Sequence, residues 1–167
     1  HVFGDKTAGN SKEAYGSWEK IKAAERATLG EKQKGTLDGV PDALPALLRA
    51  YRIGEKASSV GFDWSSEAGA LAKLREELQE FSEVLAENQP DTSRLEEEFG
   101  DLLFAAVNIS RHLKLDPEAA LRRATFKFQD RFGYLENALR KEQKQVGDAD
   151  LETLEALWNE AKTQEKQ

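Results

Sequence analysis

The sequence predicts an all-α protein, an antiparallel bundle of about five to six helices. Three observations carry the helical class. Hydrophobic residues make up 39% and charged residues 33% of the 167 residues, with only 4 prolines and few β-branched runs, a balance that favours helix over sheet. Apolar residues recur at steps of three and four in successive segments, the period of an amphipathic helix. Glycine and proline cluster between those segments, where a chain of helices must turn.

Residues 1–10, HVFGDKTAGN, read as an irregular lead-in, and Trp18, Ile21 and Leu29 among charged neighbours predict a first helix. The segment 30–45, GEKQKGTLDGVPDALP, breaks it with three glycines and two prolines. Leu47, Leu48, Tyr51 and Ala57 then mark a helix over residues 45 to about 60, closed by Gly61. Ser65 and Ser66 are candidate caps for the next helix, whose Leu71, Leu74, Leu78, Phe81 and Leu85 give a strong helical period. NQPD at 88–91 ends it, and Leu95, Phe99, Leu102, Ala106 and Ile109 form a stripe over residues 92–113. Asp116, Pro117 and Glu118 announce another helix: a capping side chain, a proline at the first helical position and an acid at the positive end of the dipole. It carries Leu121, Ala124, Phe128, Leu135 and Leu139, and Gly147 separates it from a last short helix over residues 150 to about 162. Residues 1–40 are expected to be a lead-in or linker with the first helix, and residues 41–167 the domain proper.

Composition excludes several chemistries. The chain has no cysteine, so disulfides, thiolate metal sites and a cysteine nucleophile are ruled out, in keeping with a cytoplasmic home. Its longest notable apolar run is LLFAAV at 102–107, far short of the roughly 20 residues a membrane helix needs, so no membrane partner is expected. A net charge of -7 argues against nucleic-acid binding, which calls for a clustered basic face. The first residue is His and the chain has no methionine, as expected of a processed or shortened piece.

The acids themselves are patterned. Glu77 and Glu80 lie three apart before the NQPD break, and Glu98 and Asp101 three apart after it. If the two helices fold as an antiparallel hairpin, facing residues have position numbers of constant sum, and Glu77 with Asp101 gives the same 178 as Glu80 with Glu98. That register centres on Gln89, inside the break, and it also pairs Leu74 with Leu103 and Leu78 with Phe99 to within one residue. Residues three apart on a helix point in similar directions, so four carboxylates converge. Like charges held this close repel unless a cation sits among them. An all-oxygen donor set selects a hard cation, Mg²⁺ first and Mn²⁺ second. A ferritin-like di-iron centre would need Glu-x-x-His motifs, and neither His1 nor His112 has a Glu three before it.

Lys127 and Arg131, four apart in FKFQDRF, share a helix face and could grip phosphates that the metal also binds. Asn108, two turns after Asp101, is a candidate donor for orienting a carboxylate. Trp158 suits either a core position or a stacking surface.

These residues resemble a known family. EELQE, seventeen intervening residues and EFGD match the EExxE and ExxD motifs of the all-α nucleoside triphosphate pyrophosphohydrolases. The stretches GVPDALPALLRAYRIGEKASSVGFDW (39–64) and LEEEFGDLLFAAVNISRHLKLDPEAALRRATFKFQDRF (95–132), with the ending LETLEALWNEAK, resemble MazG proteins, specifically the second MazG domain and preceding linker of longer members. The resemblance covers nearly the whole chain. It implies Mg²⁺-dependent hydrolysis of NTPs and dNTPs between the α and β phosphates, giving the monophosphate and pyrophosphate, with broad base specificity in nucleotide-pool house-cleaning.

By the same resemblance Glu77, Glu80, Glu98 and Asp101 fall at metal-ligand positions, and Lys73, Arg94, Lys127, Arg131 and Trp158 at nucleotide-contacting ones. Arg94 stands where Lys is frequent, which keeps the charge and changes the donor geometry. Glu76 or Glu77 could accept the proton of an attacking water, and the sequence does not choose between them. Lys127 and Arg131 would stabilise charge on the phosphoryl oxygens. The resemblance also implies a homodimer, in which helices of the two protomers complete a four-helix core around each site. The rival expectations are a non-catalytic nucleotide-binding or helical interaction module, and a purely structural bundle with no ligand at all.

Overall fold

The computed structural model describes residues 35–164. Within them the chain is all-α: α1 spans Ala46–Ser59, α2 Glu67–Leu85, α3 Thr92–His112, α4 Pro117–Lys141 and α5 Leu151–Gln164, with a single 3-10 turn at Val146–Asp148 between the last two. No strand occurs among the described residues. The helix expected around Trp18, Ile21 and Leu29 lies outside them. The chain divides into two compact units, one ending at Lys114 and one beginning at Leu115, taken separately below.

Helix ends follow local chemistry. α3 starts where the Asp91 carboxylate accepts from the Ser93 backbone N–H at 3.0 Å, and α4 where Asp116 accepts from Ala119 N–H at 2.9 Å with Pro117 at the first position. Each satisfies a donor that the helix itself leaves free. Ser66 occupies the N-cap position of α2, but neither it nor Ser65 supplies the expected cap: the Ser66 side chain makes no capping bond, and its carbonyl accepts from Gly69 N–H at 3.1 Å. α1 closes in a Schellman arrangement, with Phe62 N–H bonded to Ala57 O at 3.1 Å and Gly61 N–H to Ser58 O at 3.0 Å. This requires the left-handed conformation that Gly61 adopts, φ 93°.

In the first unit α3 packs against both α2 and α1. α2 and α3 form the antiparallel hairpin expected about the NQPD turn, with the rings of Phe81 and Phe99 5.7 Å apart. The buried apolar residues are small: Ala70 and Val84 on α2, Ala105 and Val107 on α3. Several larger residues of the predicted stripes, and Leu103 beside them, are only partly covered. Leu71, Leu78 and Leu85 are 39, 52 and 56% exposed, and Phe99 and Leu103 are 49 and 43% exposed. Glu77, seven residues from both Ala70 and Val84, lies between them on the face that is buried.

A charged clamp ties the α1–α2 connection to the end of α3. Asp63 takes both terminal nitrogens of Arg111, one at 2.8 Å, and also Ser58 Oγ at 2.7 Å, His112 Nε2 at 3.1 Å and the Trp64 backbone N–H at 2.9 Å. These bonds, led by that to Arg111, hold the Asp63 carboxyl far below the usual carboxylate range. Trp64 lies against Gly69, where an added Cβ would come within 2.8 Å of its ring.

The second unit packs α4 against α5 around Leu135, Leu139 and Ala161. Phe128 meets Trp158, and Tyr134 Oη bonds to both Glu160 and Gln164. The contacts therefore climb both helices together, unlike those of the α2–α3 hairpin. In the connection between α4 and α5, residues 143–147 line one cleft with Glu136 and Arg140 of α4.

Candidate active site

The α2–α3 hairpin brings three of the four expected carboxylates together. Glu77, Glu98 and Asp101 each offer an oxygen within 4.8 Å of the others. Glu77 is the anchor, 6% exposed, whereas Glu98 is half-buried and Asp101 exposed. A hexacoordinate Mg²⁺ with bonds of about 2.1 Å places its ligand oxygens about 3.0 to 4.2 Å apart, close to the limit of 4.8 Å within which these three oxygens lie. The all-oxygen donor set is the chemistry such an ion requires.

Glu80 is on the same helix one turn on but does not join the close trio. It feels it nonetheless. Its pKa is raised, first by desolvation and then by the charges of Glu77, Glu76 and Glu98, with Lys73 opposing. A carboxylate in that position gains from any cation placed among the four.

Lys73 stands one turn before Glu77 and bridges two acids, its Nζ 2.7 Å from an oxygen of Glu76 and 2.7 Å from one of Glu77. Hydrogen bonds to Glu76 and then to Glu77 push its pKa well above the usual lysine value, so its charge is fixed at neutral pH. Arg94, one turn before Glu98 on α3, pairs with Glu87 across the turn at 2.7 Å. Asn108 is buried at 6% exposure. Its Oδ1 accepts from Arg111 Nε at 3.4 Å and lies against Gly54, where a Cβ would come within 2.9 Å. Through Arg111 it connects to the Asp63 clamp.

Lys127, Arg131 and Trp158 belong to the second unit. The Arg131 guanidinium lies over the Trp158 ring, 5.6 Å from its centroid, and Phe128 meets the same ring at 5.0 Å. Lys127 is exposed. The Asp63 clamp and the Lys73 bridge are the features that sequence reasoning missed. Asp63 and Arg111 are 48 residues apart, so no spacing rule links them. The Lys73–Glu77 step of four is an ordinary spacing for a helical ion pair, and the resemblance marks Lys73 only as a nucleotide contact.

Known proteins share long stretches of this sequence. Residues 65–134, which contain all four acids, match the family model of the MazG nucleotide pyrophosphohydrolase domain. The chain is 42% identical to a nucleoside triphosphate pyrophosphohydrolase of Escherichia coli (strain K12) over 165 residues, 99% of this chain and 62% of that protein. It is 44% identical to the nucleoside triphosphate pyrophosphohydrolase/pyrophosphatase MazG of Thermotoga maritima over 162 residues, 97% of this chain and 59% of that one. An uncharacterized protein, YabN, of Bacillus subtilis is 41% identical over 166 residues, a third of its own length at 33%. The chain thus spans about three fifths of the length of the first two relatives. No helix among the described residues is long and apolar enough to cross a membrane. The domain match over the acidic hairpin identifies residues 65–134 as a MazG nucleotide pyrophosphohydrolase domain, and the similarity to the two pyrophosphohydrolases extends along almost the whole chain.

Proposed function

We propose that the chain is a Mg²⁺-dependent nucleoside triphosphate pyrophosphohydrolase, with Mn²⁺ as a substitute ion. It hydrolyses NTPs and dNTPs at the α–β phosphate bond to the monophosphate and pyrophosphate. The observation that supports this best is the meeting of the Glu77, Glu98 and Asp101 oxygens within 4.8 Å, from helices on either side of a turn, in a family whose named members are pyrophosphohydrolases.

Glu77, Glu98 and Asp101, with Glu80 swung in, would hold the metal. A bound ion would supply charge neutralisation of the triphosphate and Lewis acidity to activate water. The chain's own groups do the rest. Glu76 or Glu77 takes the proton as the water oxygen bonds to phosphorus, and the bridging P–O bond breaks to release the second product. Lys127 and Arg131 stabilise the charge that builds on the phosphoryl oxygens. Lys73, Arg94 and Trp158 contact the nucleotide, and Asn108 helps keep the carboxylate helix in place through Arg111. No described Ser, Thr or His is paired as an activated nucleophile at the trio, so direct attack by water is the simpler path.

The partly covered residues Leu71, Leu78, Leu85, Phe99 and Leu103 support a homodimer in which a second copy completes a four-helix core, since apolar patches of this extent rarely stay open to water. We assign the catalytic domain to residues 41–167, and a cytoplasmic house-cleaning role with broad base specificity. The test is to incubate the chain with ATP and dNTPs in Mg²⁺ or EDTA and resolve the products by anion exchange. Monophosphate with equal pyrophosphate, only with Mg²⁺, is the expected result. Tight Mg²⁺-dependent nucleotide binding without turnover would instead make it a binding module.

A further inference from the structure

We infer that Lys73 is a positioning residue that serves as an exchangeable counter-charge for Glu77: its ammonium gives up Glu77 to a divalent ion and keeps Glu76, so it opposes metal binding. This rests on the assignment of Glu77, Glu98 and Asp101 as metal ligands above and deepens it. Lys73 Nζ lies 2.7 Å from an oxygen of Glu76 and 2.7 Å from one of Glu77. The two partners differ in kind. The Glu77 side chain is 8% exposed and belongs to the close trio, whereas the Glu76 side chain is 56% exposed and stands outside it.

A carboxylate as buried as Glu77 needs a counter-charge. Its neighbours in the trio are acids, which add repulsion instead. Among the described residues the cation paired with it is Lys73, one turn earlier on α2 and so on the same face. A divalent ion on Glu77 meets the same need. Held on one oxygen, the ammonium at 2.7 Å and an ion at about 2.1 Å would stand no more than about 5 Å apart, where like charges repel. Lys73 has somewhere to go: its stem is flexible, its three donors rotate, and Glu76 is already in reach. Arg94 marks the contrast. It lies one turn before Glu98 as Lys73 lies one turn before Glu77, but it pairs with Glu87, which is outside the trio.

The test follows Mn²⁺ binding to the full chain by EPR, without nucleotide, beside thermal unfolding with and without the ion. Lys73→Met, which keeps the stem and removes the charge, is expected to bind Mn²⁺ about tenfold more tightly, the equivalent of one charge-assisted hydrogen bond. It should lower Tm without metal by about 4 °C, and saturating Mn²⁺ should bring the variant to within about 1 °C of wild type, since only the exposed Lys73–Glu76 pair is then missing. Arg94→Met is expected to leave Mn²⁺ affinity within about twofold. Unchanged or weaker Mn²⁺ binding by Lys73→Met would overturn the inference, as for a lysine that stays on Glu77 and orients it. Equal tightening by Arg94→Met would overturn it too, as a general effect of charge. Glu98→Gln tests the ligand assignment separately: if it binds Mn²⁺ as wild type does, that assignment fails and the inference falls with it. A readout that needs no variant is the NMR scalar coupling across hydrogen bonds from Lys73 Nζ to carboxylate carbons in the wild-type protein. It should reach Glu76 and Glu77 without metal and Glu76 alone at saturating Mg²⁺. Coupling to Glu77 that persists with Mg²⁺ would overturn the inference.

Discussion

Replacing Asp63 by Asn should destabilise the first unit far more than the same change at an exposed acid. Asp63 accepts from Arg111 with both oxygens, from Ser58 Oγ and from Trp64 N–H, and faces His112 Nε2 at 3.1 Å. The Arg111 and Asp63 side chains are only 10% and 20% exposed. Asn keeps the shape but removes the charge and turns one acceptor into a donor aimed at other donors. Breaking a fully buried pair costs about 3–5 kcal/mol. Partial exposure puts this one at the lower end, about 3 kcal/mol, or roughly 10 °C in Tm for a protein of this size.

Asp42→Asn is the matched control. Asp42 also pairs with an arginine, Arg49, at 2.6 Å, but the side chains are 92% and 43% exposed, and such pairs contribute at most about 1 kcal/mol. The assay is thermal unfolding followed by circular dichroism across pH. Asp63 has a folded-state pKa depressed below its unfolded value, so its stabilisation is complete above about pH 4 and is lost as pH falls toward the folded pKa. The Tm gap between wild type and Asp63→Asn should therefore be constant near neutrality and shrink in acid. A gap under about 2 °C at pH 7, or one equal to that of Asp42→Asn, would refute the reasoning.

Three further outcomes are expected. Glu98→Gln should cut turnover by about a hundredfold or more with helicity unchanged, and Tm without metal should stay level or rise as repulsion is relieved; unchanged activity would remove Glu98 from the site. Leu78→Glu should shift sedimentation from dimer to monomer, because Leu78 is 52% exposed on the open face of α2; a monomeric wild type would count against the dimer. Gly54→Ala should lower stability by about 1–3 kcal/mol through the 2.9 Å clash with Asn108 Oδ1, and a neutral effect in chemical denaturation would show that Asn108 moves freely.

The hairpin and its carboxylates were legible because two independent local signals agreed. The proline break fixed the centre of the turn, and the spacing of three fixed the face, so the pairing of Glu77 with Asp101 required only helix geometry. The α3 and α4 starts were equally legible, since Asp91 and the Asp116–Pro117 pair act within a few residues. What could not be read was which apolar residues a single chain covers. Leu78 and Ala70 both carry a helical period, yet Ala70 is buried and Leu78 half open, because close packing of α2 on α3 favours small side chains at the contact. Nor could the Asp63 clamp be read, since its partners come from segments 48 residues apart. Glu80 shows the limit of register alone: its place in the hairpin was foreseen, but its side chain stands off the trio.

The most direct test of the central claim is to hydrolyse ATP with Mg²⁺ in ¹⁸O-water and follow the products by ³¹P NMR and mass spectrometry. The account predicts AMP and pyrophosphate in equal amounts, with one ¹⁸O atom incorporated per turnover at the cleaved bond. ADP with orthophosphate, or products without the label, would contradict it.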